Sequence, residues 1–372
     1  MSKNIRELPF TEIVERAMEI SRTREDSEGK VRGYVNDIYV RDLPRKNDWT
    51  FLIATTSLIF TEEYKTGTVT ATTGDATLTF SSDVVIDSAM VGRKIKINGN
   101  DYIYEIASMS GTTGAVVGPT FSGTKNLSGA TYTIFQPKYP LVTDFARFPK
   151  NGGLHLFQGG RRKNIPEIAY QDQIDIQTAV PNDNQEFCRV LGQDTAGNQI
   201  LEVIPPPKND LAVEYDYFKQ VRPLRETTAG VLDTIAAGGT TVTGSAGTTR
   251  FTEATTGDYF RVDAFGTSND SEWYKIIAIA HDSSLTLATA FGLSAATSAS
   301  YTICSSPNIP VEMHPSLLYG TIMNITLDQD DPAAAVAKQE YANHLTDGKR
   351  IYTSRMFNQQ VTTIAEDFQY RR

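Results

Sequence analysis

The residue types that could do chemistry in this chain are few. Four histidines and two cysteines, Cys188 and Cys304, are spread over 372 residues. No Cys-x-x-Cys or His-Glu-x-x-His occurs, so the usual zinc ligand sets have no local source. There is no Gly-x-Ser-x-Gly, no phosphate loop closing on Gly-Lys-Ser/Thr and no dinucleotide fingerprint. The expectation is a protein that is not an enzyme and takes no cofactor and no metal. Asp328-Gln329-Asp330-Asp331 is rich enough in carboxylates for a hard cation, but it lacks the later glycine and glutamate of a calcium loop. It reads as an acidic turn capping the helix that follows. His314, ahead of Pro315, reads as a capping or packing side chain rather than an acid–base. The cysteines read as two buried free thiols, and their spacing argues neither for nor against a disulfide.

Three features point instead to partners. Gly159-Gly160-Arg161-Arg162-Lys163 is the sharpest basic cluster. It reads as a solvated loop, as a contact with an acidic neighbour, or as a contact with DNA. Phe368, Tyr370, Arg371 and Arg372 close the sequence. They suit an arm anchored in a partner groove, where aromatic and Arg side chains carry much interface energy; a terminus without fixed structure is the alternative. Trp273-Tyr274 has the aromatic character of a carbohydrate platform, but Ile103-Tyr104 stands at the matching place earlier in the chain. That difference assigns the tyrosines to a shared core and leaves Trp273 as a local feature.

The elements that must position these residues fall into blocks. Thr11 is placed to cap a first helix with Ile13, Val14, Ala17 and Met18 on one face. Val31, Tyr34, Val35, Ile38 and Tyr39 make the stripe of a second, which Leu43-Pro44 should end. Residues 50–64 read as extended. From about Thr66, short alternating runs rich in Thr, Gly and β-branched residues indicate antiparallel strands, and the same texture returns near residue 230.

These two stretches match in order. Val91-Gly92-Arg93-Lys94-Ile95-Lys96-Ile97 aligns with Thr256-Gly257-Asp258-Tyr259-Phe260-Arg261-Val262, Tyr104-Glu105-Ile106 with Tyr274-Lys275-Ile276, and Phe121 with Phe291. Tyr132-Thr133-Ile134 aligns with Tyr301-Thr302-Ile303. The recurrence predicts one duplicated module of five or six strands. Between the copies, Phe187–Leu191 and Ile200–Ile204 flank a hairpin signal at 193–198, and Leu211, Val213, Tyr215 and Tyr217 alternate as a strand with one buried face. After the second copy, helices follow Pro315 and Asp331-Pro332, the latter an aspartate cap with proline at the helix start. Gly348 is placed to interrupt the last helix.

The expected organisation is therefore α+β. Residues 1–65 form an N-terminal helical segment, 66–138 β module one, 139–229 a central β-rich region, 230–309 β module two, and 310–372 C-terminal helices and an arm. The terminal helices should pack together as a helical bundle frame carrying two small antiparallel β-sandwich or barrel insertions. A net charge of −9, from 35 basic and 44 acidic residues, argues against a surface that grips nucleic acid. It leaves room for a protein that nucleic acid passes without sticking. The start, Met1-Ser2-Lys3-Asn4, lacks a signal-peptide core, and the most apolar run, Phe51 to Phe60, is too short and too rich in threonine to span a bilayer. Synthesis in a cytoplasm, with no membrane contact, is the expectation.

Several residues in this order resemble the head-to-tail adaptor proteins of short-tailed bacteriophages. One is Tyr132-Thr133-Ile134 followed by Tyr139-Pro140-Leu141-Val142-Thr143-Asp144-Phe145. Another is Ile204-Pro205-Pro206-Pro207 followed by Leu211-Ala212-Val213-Glu214-Tyr215, and a third is Pro310 to Gly320 leading to the helix after Pro332. The resemblance covers most of the chain in order, apart from the two β modules, which the smallest adaptors lack. It implies a dodecameric ring in the virion neck, assembled in the host cytoplasm. Such a ring docks beneath the portal protein, meets a tail tube or nozzle protein and sometimes tail fibres, and lets DNA through its channel. The alternative expectation is a tail-associated binding protein whose β modules recognise a carbohydrate or protein receptor.

Overall fold

A computed structural model describes residues 7–23, 27–150, 152–158, 161–168, 181–264, 272–292 and 294–353. The fold is mixed α and β, mostly strands with a few helices, and includes a sheet curled into a half-barrel. The chain divides into two units, Ile53–Gln220, and Met1–Leu52 with Val221–Arg372.

In the unit Ile53–Gln220, alternating β-branched and polar residues make short strands with one buried face. They are β1 Ile53–Ile59, β2 Val69–Ala71, β3 Thr77–Phe80, β4 Lys94–Ile97, β5 Ile103–Met109, β6 Gly114–Gly118, β7 Leu127–Ala130, β8 Tyr132–Phe135, β9 Lys138–Pro140, β10 Phe145–Arg147, β11 Gly153–Gln158, β12 Arg161–Pro166, β13 Phe187–Gln193, β14 Gln199–Ile204 and β15 Ala212–Lys219. Seven of them form an antiparallel sheet in the order β7-β2-β3-β6-β5-β4-β8, over a core that includes Leu78, Ile95, Tyr104, Phe121 and Ile134. A five-stranded sheet, β1-β15-β11-β12 with β10 also on β15, and a three-stranded sheet, β13-β14-β9, share a core of Phe60, Tyr139, Leu154, Val213 and Tyr215 among others. The hairpin expected at 193–198 forms between β13 and β14. Asp194 closes its turn by accepting the N–H groups of Ala196 (2.9 Å) and Asn198 (2.8 Å). Along β15, Val213, Tyr215 and Tyr217 are buried as their alternation requires.

The other unit contains β16 Glu226–Thr227, β17 Leu232–Ile235, β18 Thr241–Gly244, β19 Tyr259–Ala264, β20 Tyr274–His281, β21 Ser284–Leu287, β22 Ala296–Thr297 and β23 Ser300–Cys304. Its helices are α1 Phe10–Ser21, α2 Glu28–Asn36, α3 Leu43–Lys46, α4 His314–Asp328 and α5 Ala333–Tyr352. The strands make one sheet in the order β22-β17-β18-β21-β20-β19-β23-β16.

Taken from β22, the first seven strands of this sheet follow the same permutation of chain order as the seven-stranded sheet taken from β7. The bonds that close the turns also recur. Gly74 N–H donates to Phe121 O (2.8 Å) and Gly238 N–H to Phe291 O (2.9 Å). Gly92 and Gly257, at φ 84° and 103°, donate to Ile106 O and Ile276 O at 2.8 and 2.9 Å. This is backbone that a glycine adopts at little cost. The Tyr104 hydroxyl accepts Ser122 N–H (3.0 Å), and the Tyr274 hydroxyl accepts Gly292 N–H (3.1 Å). Tyr132 donates to Thr66 O, and Tyr301 to Ala229 O. Each of these tyrosines buries its ring in the core and satisfies its hydroxyl at the rim. The matching part of each sheet has seven strands where five or six were expected. The additional β7 and β22 are short and polar, and carry no alternation to read.

The helices depart from expectation at three points. Pro9, not Thr11, stands at the N-cap of α1, and the Thr11 hydroxyl inside the first turn donates to Glu226 (2.6 Å). The second helix does not stop at Leu43-Pro44, because Asp37–Asp42 forms a π-helical turn and α3 restarts with Pro44 in its first turn. A first turn has no use for the missing proline N–H, so the break costs little there. The Trp49 indole then donates to Leu43 O (2.7 Å). Gly348 does not interrupt α5; a Cβ there would overlap the Met313 sulfur and approach Trp49. Its role is close packing. Gly348→Ala should therefore destabilise this unit by about 1–3 kcal/mol in urea unfolding, and an unchanged midpoint would show that the joint tolerates a methyl.

Candidate functional site

Two polar clefts among the described residues lie in the unit that carries the helices. The first, about 430 Å³, is lined by Glu7, Thr255 to Asp258, Lys275, Ser306 to Ile309 and His314. The segment ahead of α1 places Glu7 against β19 and β20. There the Tyr259 hydroxyl donates to Glu7 Oε2, and Lys275 Nζ reaches both carboxylate oxygens at 3.0 and 3.1 Å. The Tyr259 hydrogen bond, joined by Lys275, holds Glu7 below the usual carboxylate range against the opposing effect of burial. Burial pushes Asp258 the other way, upward, although Thr255 donates to it through backbone (2.8 Å) and hydroxyl (3.1 Å).

His314 closes the back of this cleft. Its Nδ1 accepts Leu8 N–H (2.9 Å), so the proton sits on Nε2, which faces Ile309 O at 3.3 Å. Burial lowers its pKa. With both ring nitrogens bonded to backbone, the imidazole has no free lone pair to take a substrate proton. The packing reading of His314 stands, with a sharper content: it ties the entry of α1 to the entry of α4.

The second cleft, about 500 Å³, is lined by Phe10, Arg32, Asn36, Leu224 to Thr227 and Glu253. Arg32 bonds Glu28 and Glu226, both at 2.7 Å, and Asn36 exchanges two bonds with the backbone of Leu224 (2.7 and 3.2 Å). Nearby, Arg261 grips Glu15 of α1 through two nitrogens (2.9 and 3.1 Å) and lies 4.4 Å from the Trp273 ring centroid. Trp273 is thus one wall of an ion pair and not an open platform.

The remaining expected residues are placed as follows. Arg161, Arg162 and Lys163 belong to strand β12, paired with β11, rather than to a solvated loop. The pairing of Gln158 with Arg161 draws them into the sheet. Lys163 Nζ donates to Asn184 and to Gln185 O (2.6 Å). Phe368, Tyr370, Arg371 and Arg372 lie outside the described residues. In the acidic turn, Asp328 pairs with Lys30, and Asp331 caps α5 by accepting Ala333 N–H (2.8 Å). Cys188 and Cys304 are free and buried, and burial pushes each thiol up to about 12. Among the described residues no cluster of three or more His, Cys, Asp or Glu is placed to hold a metal ion.

Sequence reading missed Glu7, Glu15, Tyr259, Lys275 and Arg261 as a set. The partners stand some 250 residues apart in sequence, and no local spacing announces them. A scan against protein-family models finds no match, and a search of curated proteins finds no relative.

The neutral state of His314 has a pH consequence. Its folded pKa lies below the unfolded value, so the unfolded chain binds the extra proton first. Stability is therefore full above about pH 6.5 and is lost as the pH falls below it. Urea midpoints measured from pH 7.5 to 5 should decline in the native chain and decline less in His314→Gln. Equal slopes would contradict the assignment.

Proposed function

We propose that this chain is a structural assembly protein: a ring-forming adaptor that joins the portal to the tail in the neck of a short-tailed phage virion. On this reading the two matching sheets are copies of one antiparallel module, and each is inserted into a frame whose terminal helices pack as a bundle. One observation carries the reading. The two sheets share strand permutation, turn bonds and tyrosine closures, yet among the described residues the aromatic Trp273 of one has Ile103 at the matching place of the other. A receptor-binding protein would keep an aromatic platform in both copies. Here Ile103 replaces Trp273, and Trp273 is covered by Arg261. Conserving the closures and not the surface suits a brace.

The charged clefts support the same conclusion. Glu7 with Lys275, Arg32 with Glu226, and His314 with backbone are bonded within the chain, as in joints that fix elements rather than sites that turn over substrate. The resemblance to head-to-tail adaptors then supplies the setting: a ring of twelve, assembled in the host cytoplasm, with the portal on one side and a tail tube or nozzle protein, and tail fibres, on the other. A ring built from subunits of −9 presents a strongly negative sum. A negative lumen repels phosphate and lets DNA slide without specific binding.

Electron microscopy of the purified chain mixed with its portal tests this. Closed rings seated on the portal, with acidic side chains facing the channel, are the expected result. A chain that stays monomeric alone and with the portal, or a lumen lined by Lys and Arg, would overturn it.

A further inference from the structure

We propose that the outer edge of β1 is a self-association surface, on which a second copy of this chain adds its own β1 antiparallel about Thr56. This rests on the described sheet and not on the ring reading, since a two-fold strand pair differs from the head-to-tail contacts that close a ring.

β1 is the terminal strand of the five-stranded sheet, and among the described residues nothing pairs with its far side. Phe60 N–H donates to Leu211 O (2.8 Å) on the β15 side. By the two-residue alternation of a strand, the N–H and C=O groups of Ile53, Thr55, Ser57 and Ile59 therefore point away from β15. An open edge of this kind is a pairing template, and proteins usually blunt it with Lys, Pro or a cover. The opposite edge of the same sheet is blunted in this way: β12 reads Arg161-Arg162-Lys163-Asn164-Ile165-Pro166, and Cys188 Sγ bonds Ile165 O at 3.5 Å. β1 reads Ile53-Ala54-Thr55-Thr56-Ser57-Leu58-Ile59, with no charge and no proline.

That sequence is nearly a chemical palindrome, and a two-fold contact needs self-complementarity. With Thr56 on the axis, Thr55 faces Ser57, Ala54 faces Leu58 and Ile53 faces Ile59. The register also satisfies the backbone, because the outward-pointing residues 53, 55, 57 and 59 of one copy meet only outward-pointing residues of the other. Side chains agree as well. Thr–Ser and aliphatic cross-strand pairs are favourable and no like charges oppose. Ile59, 68 % exposed in the single chain, gains an apolar neighbour. Thr56 falls at a non-hydrogen-bonded pair, with the two Cα atoms about 4.5 Å apart.

The test is a single cysteine in the full chain. Cys188 and Cys304 are buried, so mild oxidation of Thr56→Cys reads the new thiol alone. The expected result is a reducible dimer formed about tenfold faster than in Thr73→Cys, an exposed control, because the Cα separation suits a disulfide. Independently, the native chain should sediment as a dimer, and Thr55→Lys with Ser57→Lys should sediment as a monomer with an unchanged melting point. Crosslinking no faster than the control, a native monomer, or a lysine variant that remains dimeric would each overturn the proposal. Ring formation on the portal is read separately and is not decided by any of these outcomes.

Discussion

The unit that carries the helices depends on α1 satisfying two surfaces at once. One side of the helix is apolar: Ile13, Val14 and Ala17 are fully buried where α1 packs on α4 and α2. The other side and its lead-in are polar, and reach the eight-stranded sheet through Glu7, Thr11 and Glu15. The magnitudes divide the labour. Burying an Ile or Val side chain is worth about 1.5–3 kcal/mol, whereas ion pairs with exposed partners, such as Glu15 with Arg261, contribute about 0–1 kcal/mol. Apolar burial holds the helix, and the ion pairs set its register on the sheet. His314 then fixes the same lead-in from the opposite direction, by accepting the Leu8 N–H at the start of α4.

A fold organised this way uses its reactive groups as fasteners. Cys304 lies under α1, where burial suppresses its thiolate, and His314 has both nitrogens committed. Glu7 is anionic but matched by Tyr259 and Lys275. Perturbed pKa values often mark catalytic sites. For Glu7, His314 and Cys304 the perturbation has a structural cause, a hydrogen bond for the first and burial for the other two.

What was legible in the sequence was whatever local period or recurrence could carry. The matching tyrosines, glycines and phenylalanines at 92, 104, 121 and 132, and again at 257, 274, 291 and 301, stand at the positions where the two sheets make equivalent bonds. A core aromatic with a satisfied hydroxyl tolerates little change, and so its signal survives between the stretches. The strand alternation of β15 and the aspartate cap of α5 were readable for the same local reason. Helix continuity was not. Pro44 and Gly348 are both ordinary helix breakers; Pro44 is tolerated because it falls in the first turn of α3, and Gly348 because Met313 and Trp49 pack against it. The Arg161–Lys163 run looked like a loop because its charges say nothing of the strand beside it. The ion pairs over α1 were invisible, since they join segments on either side of an entire sheet's worth of sequence.

Native-state hydrogen exchange across α1, β19 and α4 is the most direct test of this account. If α1 is fixed on both sides, the amides of Val14 to Ala17, Phe260 to Val262 and Leu318 to Ile322 should open with one shared free energy that falls together with added denaturant. Exchange of α1 by a separate, lower-energy opening, while β19 and α4 stay protected, would contradict the joint on which the reading of this unit rests.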